Sequence, residues 1–424
     1  MVTSKQKITA KTPPVIIGFD AISPLGLDLD QQWQAALEGK SGIGPLTRFR
    51  IAADFPVRIA GQVADIDHLP YPYLKPREQA KWTSPIFKYA LLSVQRALEQ
   101  SGLEITPAIA PRVAVTYSSA IGGLDAVLTA DRRLLADGKL PHPFANPNAC
   151  INMVGGKVSI FTGATGPISA TITACATGLS SLLVGAMLIA QDQADVAICG
   201  AVDFALVEPI VAGFATMNGT YAPKEGEPHS PPEAASRPFS ANRRGFVLSE
   251  GAGCLLLASR AFAHTHGLKV LAELAGWSMT SDAYHFVAPN LETVQRCIAE
   301  SIADAGLASA DIDAINAHAA STRIGDKVER DALYGVFGSK IPPVTANKSL
   351  IGHAMGASSA IETIFALKGM AHDILPPTRN YQPDPELNLE CVSAQGIACP
   401  QEFVLKNAFG FGGCNACAVF KRTA

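Results

Sequence analysis

The chain has 424 residues, of which 48% are hydrophobic and 17% charged, and its formal net charge at pH 7 is −3. This length can bury a large core, as one domain or as two fused halves, and the composition excludes a disordered or collagen-like chain. The near-neutral charge gives no general attraction to nucleic acid or to anionic lipid. We therefore predict neither as a partner, and any acidic partner must bind a local basic patch.

The amino-terminal segment and the cysteines both bear on the cellular compartment. Residues 1–14 are polar and basic, and the longest apolar run, residues 182–190, is too short to span a bilayer. The nine cysteines are scattered and odd in number, which is typical of reduced thiols in a cytosol. We therefore expect a cytoplasmic protein with neither a secretion signal nor a membrane segment.

Strand patterns alternate with helix patterns along the whole chain. Before residue 260 they predict helices at 85–100 and from Cys175 onward, and strands at 14–20, 113–119, 168–173, 195–200 and 254–259. After residue 260 they predict helices at 291–306, 325–338 and 356–373, and strands at 271–277, 312–318, 343–347, 403–409 and 416–420. Apolar strands interleaved with helices favour an α/β fold of mostly parallel sheets with helices on both faces. A Pro- and Ser-rich surface loop is predicted at 222–244.

One cysteine stands where a strand pattern turns into a helix. In TITACATGLSS (171–181), Cys175 follows β-branched residues and precedes an apolar helical run. A helix amino terminus favours a thiolate by ~0.3–1 kcal/mol, and a thiol is already a good nucleophile at neutral pH. We therefore predict that Cys175 is a nucleophile with a lowered pKa, and that the other eight cysteines are packing residues.

A second cysteine motif, C-x-x-C at Cys414 and Cys417, is a weak signal. A spacing of three on a strand places the two thiols on opposite faces, and no second His or Cys pair accompanies them. We predict no metal site.

Two histidines share the position of Cys175, at the tip of a strand pattern. His318 lies in NAHAAST, and NKSLIGHAM contains Lys348 and His353. Strand tips are where ligands bind in α/β sheets, so Cys175, His318 and His353 can meet. The remaining histidines are predicted to be ordinary core or surface residues: His68, His142, His229, His264, His266, His285 and His372. NAFGFGG (407–413) adds glycines that let a backbone approach a ligand.

Together these motifs resemble the β-ketoacyl synthases, condensing enzymes of the thiolase superfamily, and most closely the type II elongating kind. The resemblance covers nearly the whole chain, including SPLG at 23–26, SRPFSANRRGFVLSEGAG at 236–253 and SDAYH at 281–285. It implies a thiolase-like fold, in which two similar halves form a layered αβαβα sandwich. The half at 1–260 carries Cys175, and the half at 261–424 carries the two histidines.

The resemblance also implies a mechanism, 3-oxoacyl synthesis by decarboxylative condensation with a malonyl group. Cys175 holds an acyl chain, and the backbone N–H groups of Cys175 and Phe411 form an oxyanion hole. His318 and His353 bind the malonyl thioester carbonyl and stabilise the enolate. They matter more for this decarboxylation step than for the first acyl transfer. In support, Lys348 pairs with Glu329 near His318. Further implied roles are loop shaping by Asp326, substrate contacts from Thr322, Phe409 and Phe411, and a gate at Phe411.

The partner implied by the resemblance is an acidic acyl carrier protein, whose phosphopantetheine brings the substrates, with no other cofactor. Two basic stretches are candidate docking sites: Lys75, Arg77 and Lys81, and separately Arg243 and Arg244. The resemblance further implies a homodimer, or a heterodimer with a related synthase-like subunit, joined through edge strands.

HAAST departs from the HGTST or HGTGT that is usual in the family. Ala319 replaces glycine, and Ala320 replaces a threonine whose hydroxyl contacts the pantetheine arm; Cys414 replaces a threonine after GFGG. The nucleophile and both histidines are kept, so catalysis is expected. Specialised polyketide or lipid synthesis and general fatty-acid elongation both remain open.

Two rival functions also remain at this point. The chain can be a synthase-like acyltransferase or malonyl-carrier decarboxylase that makes no carbon–carbon bond. It can also be a non-catalytic subunit resembling a chain-length factor, against which the presence of Cys175, His318 and His353 argues.

Overall fold

A computed structural model describes residues 12–69, 74–223, 231–393 and 395–423. Its strands are β1 (Val15–Ile22), β2 (Ile43–Pro45), β3 (Ile59–Gly61), β4 (Val113–Ser118), β5 (Val196–Phe204), β6 (Glu250–Ala258), β7 (Ala272–Ser281), β8 (Ala314–Asn316), β9 (Val344–Thr345), β10 (Ile374–Leu375), β11 (Ile397–Ala398), β12 (Phe403–Gly410) and β13 (Cys414–Arg422). Its α-helices are α1 (Leu29–Leu37), α2 (Pro76–Gln79), α3 (Pro85–Ser101), α4 (Leu124–Asp137), α5 (Ala145–Ala149), α6 (Asn152–Thr162), α7 (Thr177–Ala190), α8 (Glu208–Thr216), α9 (Arg260–Thr265), α10 (Leu291–Asp304), α11 (Arg323–Phe337), α12 (Lys348–Ile351) and α13 (Met355–His372).

The main sheet has the strand order β4-β5-β6-β1-β7-β13-β12-β8-β9. The pairs β4-β5, β12-β8 and β8-β9 are parallel, whereas the other five pairs are antiparallel. The prediction of mostly parallel sheets is therefore wrong. The physical reason is visible in the β12-β13 hairpin, where only residues 411–413 separate Gly410 from its partner Cys414. So short a connection can join only antiparallel strands.

The main sheet consists of two parts joined by a short contact. β1 and β7 pair only at Val15–Glu273 and Ile16–Ala272. Helices α7 and α13 contact strands of both parts, α3 and α6 pack on the first part, α10 packs on the second, and α11 packs against α10. Alternate residues of β1 separate two cores, because Ile16 packs with α7 and α13 while Ile17 packs with α3. The fold is thus the thiolase-like αβαβα sandwich.

The crossing of α7 and α13 at the centre depends on a glycine. A Cβ on Gly178 would lie 2.6 Å from the backbone nitrogen of Ala360. Only glycine allows the two helices to approach this closely. The crossing fixes the start of each helix, and both starts belong to the site described below.

Two local predictions fail in the first half. The predicted strand at 168–173 is reduced to one isolated bridge between Ile168 and Val115 at the edge of the sheet. The predicted surface loop at 222–244 lies partly outside the described residues, together with His229. Its later part is not a surface loop, since Ser236 donates a hydrogen bond to the backbone oxygen of Lys348 and Phe239 is fully buried.

Across the ranges described, no helix is long and apolar enough to cross a membrane. All nine cysteines are free thiols.

Candidate active site

Cys175 lies on a sharp turn between an extended segment and α7. The turn is a short 3₁₀ helix over 174–176, and its first residue, Ala174, has a left-handed φ of 48°. Such a conformation is costly for alanine and is retained where the surrounding structure enforces it. Gly410 at the end of β12 packs against this turn, and a Cβ there would lie 2.2 Å from the Thr173 oxygen. The glycine therefore lets the end of β12 approach the nucleophile.

The environment of the Cys175 thiol opposes the expected thiolate. Burial raises the pKa of Cys175 to about 12, although the Lys348 ammonium and the backbone N–H groups of Phe411 and Cys175 act to lower it. The prediction of a lowered pKa is therefore wrong. The side chain is only 4% exposed, and the loss of water around it disfavours the thiolate more than the helix terminus favours it. The two N–H groups at the thiol are the pair expected to form the oxyanion hole.

His353 contacts the thiol directly. Its Nε2 lies 3.1 Å from Cys175 Sγ, and its Nδ1 lies 3.1 Å from Ser358 Oγ. Ser358 also accepts a hydrogen bond from the Ala354 N–H at 2.7 Å. A hydroxyl can donate to Nδ1 or accept from it, so Ser358 supports both neutral tautomers. Nε2 can therefore receive the thiol proton in one tautomer and donate to an oxyanion in the other.

His318 is held in a single tautomer. Lys348 Nζ lies 3.5 Å from His318 Nδ1, and an ammonium can only donate, so Nδ1 accepts and the proton resides on Nε2. The rings of His318 and His353 have centroids 5.8 Å apart. Burial first, and then the Lys348 charge, lowers the pKa of both histidines well below its usual value. Both imidazoles are therefore neutral at pH 7.

The predicted pairing of Lys348 with Glu329 is wrong. Lys348 Nζ forms its ion pair with Glu362 Oε1 at 2.6 Å and donates to the His318 carbonyl oxygen. Glu329 instead accepts the backbone N–H groups of His318 at 2.8 Å and Ala319 at 2.7 Å. Glu329 thus supports the His318 loop through its backbone, because its carboxylate lies beneath that loop and not beside the ammonium.

Asp326 shapes the same loop, as expected. Its carboxylate accepts the N–H groups of Phe239 at 2.8 Å and Thr322 at 3.0 Å. Burial raises the pKa of Asp326 to about 7. Ser321, in the middle of the loop, has a left-handed φ of 69°. The loop is therefore held in a strained form from several sides.

Sequence reasoning missed four polar residues that support the site. Three are the buried Glu362, Ser358 and Lys406, of which Glu362 and Lys406 are charged residues inside apolar segments. The fourth is Asp203, which accepts Ser119 Oγ at 2.6 Å and the N–H groups of Ala120 and Ala357. Asp203 thereby ties the loop after β4 to the start of α13. A charge within an otherwise apolar strand or helix is the signal that would have found three of the four.

Cys175, His318 and His353 open on one cavity of about 520 Å³, whereas Lys348 and Glu329 lie behind its wall and do not line it. Residues at this cavity include Cys175, His318, His353, Ala320, Thr322, Phe409 and Phe411. The Phe409 ring lies 5.7 Å from the His318 ring, and the Phe411 ring lies 6.4 Å from that of Phe214. The exposed Arg323 and Ile324 also line the cavity, so it reaches the surface beside them. The structure therefore brings together all the residues that were predicted to contact the substrate or the reacting atoms.

The predicted docking residues lie in four different environments. Lys75 and Arg77 are exposed, whereas Lys81 is half-buried and pairs with Glu78 at 3.1 Å. Arg244 lines the cavity. Arg243 is a correction, because it is 7% exposed and its guanidinium pairs with Asp384 at 2.6 Å. Its charge is committed inside the protein and does not form part of a docking surface.

Cys414 and Cys417 take no part in this site, since neither lines the cavity. Within the described ranges, no group of three or more His, Cys, Asp or Glu side chains is arranged to hold a metal.

The geometry of the site is matched by comparisons along the chain. Residues 12–263 match the family model of the β-ketoacyl synthase N-terminal domain, and residues 271–382 match that of the C-terminal domain. The chain belongs to the β-ketoacyl synthase family. Among its relatives, the 3-oxoacyl-(acyl-carrier-protein) synthase 2 of Coxiella burnetii is 37% identical, covering 96% of this chain and 98% of the relative. The corresponding synthase of Vibrio harveyi is 35% identical, covering 98% and 100%.

Solved structures show the same fold. A complex of a type II polyketide acyl carrier protein with its hexaketide-bound ketosynthase contains a chain with a TM-score of 0.87 and 27% identity, covering 98% of this chain and 100% of that one. A β-ketoacyl synthase from Burkholderia phymatum has a TM-score of 0.88 and 26% identity, covering 97% and 100%. The synthase described here is thus an acyl-transferring condensing enzyme of the type II elongating kind.

Proposed function

We propose that this synthase extends a Cys175-bound acyl chain by decarboxylative condensation with a malonyl group on an acyl carrier protein, in the cytoplasm, for fatty-acid or type II polyketide synthesis. The supporting observation is that one thiol faces a pair of backbone N–H donors and also two neutral histidines. Acyl transfer needs the thiol, the N–H pair and a base that receives the thiol proton. Decarboxylation alone needs the histidines, and condensation needs both at one point.

The first step transfers the acyl group to Cys175. The thiol is protonated at rest, so attack on the thioester carbonyl requires a base, and His353 Nε2 at 3.1 Å receives the proton. The S–C bond to Cys175 forms, the negative oxygen is bound by the N–H groups of Cys175 and Phe411, and the carrier thiolate leaves with the proton from His353.

The second step uses the malonyl thioester. The bond between the carboxylate carbon and Cα breaks, carbon dioxide leaves, and the electron pair forms an enolate at the thioester carbonyl. His318 Nε2–H and His353 Nε2–H donate to that oxygen. Neutral donors suit this role because they bring no full positive charge to the oxygen. Cα then attacks the acyl-Cys175 carbonyl, the carbon–carbon bond forms, and the Cys175 thiolate is expelled. A proton from solvent, delivered through His353, restores the resting thiol, so each cycle consumes one proton.

Mass spectrometry of products tests this function. The synthase is incubated with an acyl carrier thioester and a malonyl carrier thioester, and the carrier-bound products and released carbon dioxide are measured. We expect one carbon dioxide for each 3-oxoacyl product two carbons longer than the starting chain. Carbon dioxide without a longer chain would instead assign a malonyl decarboxylase, and acyl exchange without carbon dioxide would assign an acyltransferase.

We also propose that Ala320 weakens contact with a generic carrier arm. Ala320 is 7% exposed and lines the cavity, where a methyl group cannot donate a hydrogen bond. One hydrogen bond contributes about 0.5–1.5 kcal/mol, so Ala320→Thr should lower the KM for a generic malonyl carrier by about two- to tenfold. The rate of Cys175 acylation should not change. Steady-state kinetics with the malonyl carrier give the KM, and the acyl carrier thioester is used to measure the rate of Cys175 acylation.

Two further variants make the Ala320 experiment specific. Ala319→Gly combined with Ala320→Thr removes any crowding by the Ala319 methyl, which is buried in the turn. Ala222→Thr makes the same exchange elsewhere on the cavity wall and should not lower KM. Unchanged kinetics in the single Ala320→Thr variant and in the double variant would remove the support for a specialised substrate.

We propose that the synthase pairs with a second copy or a related subunit through the sheet edge beside β4. Ile168 and Ile172 are 54% and 47% exposed there, and an uncovered apolar edge favours aggregation. Light scattering at micromolar concentration should find a dimer, or a monomer that dimerises with its sister subunit. Ile172→Lys should weaken that association, and a wild-type monomer with full activity would contradict it.

For the carrier protein, the exposed Lys75 and Arg77, with Arg244 at the cavity, offer the positive charge that an acidic partner needs.

A further inference from the structure

Lys406 is a buried lysine in the middle of β12, and the catalytic steps above do not use it. It is fully buried and pairs in register with Asn316 of β8, two residues before His318. Its Nζ lies 2.7 Å from Glu362 Oε2, 2.8 Å from the Asn407 oxygen and 3.5 Å from the Ala317 oxygen. Three oxygens therefore surround this ammonium next to the histidine strand.

Glu362 connects Lys406 to the catalytic site. The two oxygens of this fully buried carboxylate are divided between two ammonium groups, since Oε1 lies 2.6 Å from Lys348 Nζ and Oε2 lies 2.7 Å from Lys406 Nζ. Lys348 in turn donates to the His318 carbonyl oxygen and faces His318 Nδ1. An unbroken series of contacts thus leads from Lys406 through Glu362 and Lys348 to the histidine ring.

We propose that Lys406 is a positioning residue for decarboxylation, a role that rests on the proposed function. By occupying Oε2 of Glu362, Lys406 leaves only Oε1 for Lys348 and so keeps the Lys348 ammonium against His318. Without Lys406, both carboxylate oxygens are free to bind Lys348 and draw it away from Nδ1. His318 then loses the donor that fixes its Nε2–H tautomer, and with it the proton aimed at the enolate oxygen.

The charges agree with this geometry. Two buried ammonium groups, Lys348 and Lys406, share the buried Glu362 carboxylate, and the Glu329 charge also acts on Lys406. Burial lowers the pKa of Lys406, and the Glu362 charge opposes that shift. Removing Lys406 leaves an unpaired carboxylate oxygen in a dry interior, which favours rearrangement of the remaining ammonium.

Lys406→Met tests the proposal while keeping the volume filled. Carbon dioxide release from malonyl carrier should fall about ten- to a hundredfold, whereas Cys175 acylation should change less than about threefold. The matched control is Lys368→Met on α13, which removes a lysine paired with Asp30 at 2.6 Å, and which should leave both half-reactions unchanged. In Lys406→Ala, added ammonium ion should restore part of the decarboxylation rate, because the three oxygens remain around the space left by Nζ.

A second measurement separates this proposal from the function itself. In protein labelled with ¹⁵N-histidine, the His318 Nδ1 signal, assigned with His318→Gln, should change in Lys406→Met and not in Lys368→Met. An unchanged signal overturns the proposal, as does wild-type carbon dioxide release in Lys406→Met. Equal loss of both half-reactions without ammonium rescue assigns Lys406 a structural role and also overturns it. A wild-type protein that releases no carbon dioxide contradicts the proposed function instead, and the NMR comparison still decides the role of Lys406 because it needs no substrate.

Discussion

Replacing Cys175 with alanine should abolish acyl-enzyme formation and lower condensation by on the order of ten-thousandfold or more, because no other thiol meets the oxyanion donors. Peptide mapping after incubation with an acyl carrier thioester should locate the acyl mass on the peptide that contains Cys175. The variant should still release carbon dioxide from malonyl carrier, since His318 and His353 remain in place. The variant therefore isolates decarboxylation from acyl transfer.

Cys199→Ala is the matched control for this experiment. Cys199 is also fully buried, burial also raises its pKa to about 12, and it lies on β5 without a contact to the histidines. Its removal should leave acylation intact. Full acylation of the Cys175→Ala variant would show that the nucleophile is elsewhere.

Much of the fold could be predicted from local patterns. The helix α3 follows from its apolar period and the glycine that ends it, and β1, β5 and β6 follow from continuous apolar runs. Strand direction could not be predicted in this way, because a strand buried on both faces has the same composition in parallel and antiparallel pairs. The segment at 168–173 has the same β-branched composition, but it lies at an edge and forms only one bridge.

The site was predictable where its residues stand at the ends of elements. Cys175, His318 and His353 each follow from a motif at a strand or helix end, and each lies within three residues of one with a left-handed φ: Ala174, Ser321 and Met355. Partners across the core were not predictable. Which carboxylate meets Lys348 depends on how α12 and α13 pack, and the sequence contains both Glu329 and Glu362 at suitable distances along the chain.

The pKa of Cys175 also could not be predicted from local sequence patterns. The helix start is a local feature and favours the thiolate, whereas burial depends on the whole fold and raises the pKa more strongly. This reversal changes the expected role of His353. A thiol that stays protonated needs a base for acylation, so His353 serves the first half-reaction as well as the second.

His318→Ala and His353→Ala should therefore differ in which half-reaction they lose. His318→Ala should lower carbon dioxide release by about a hundred- to a thousandfold, the effect of removing one oxyanion donor, and leave Cys175 acylation nearly unchanged. His353→Ala should lower both, because its Nε2 contacts Cys175 Sγ and also donates to the enolate oxygen. Rapid-quench measurement of acyl-enzyme, beside carbon dioxide release, gives the two rates. His372→Ala, at the exposed end of α13, is the control and should change neither.

The pH dependence gives a second check on the histidines. The pKa of each lies well below its usual value, so the neutral form persists as the pH falls, and the histidines should add no acid limb to carbon dioxide release between pH 7 and about pH 6. An acid limb centred near the ordinary value of about 6.5 would mean that water reaches both rings. Equal loss of acylation in the two alanine variants would contradict the separate roles, because only His353 lies against the thiol. Loss of carbon dioxide release alone in His318→Ala and of both half-reactions in His353→Ala, with a flat profile, would establish two neutral donors, one of which also acts as the base for Cys175.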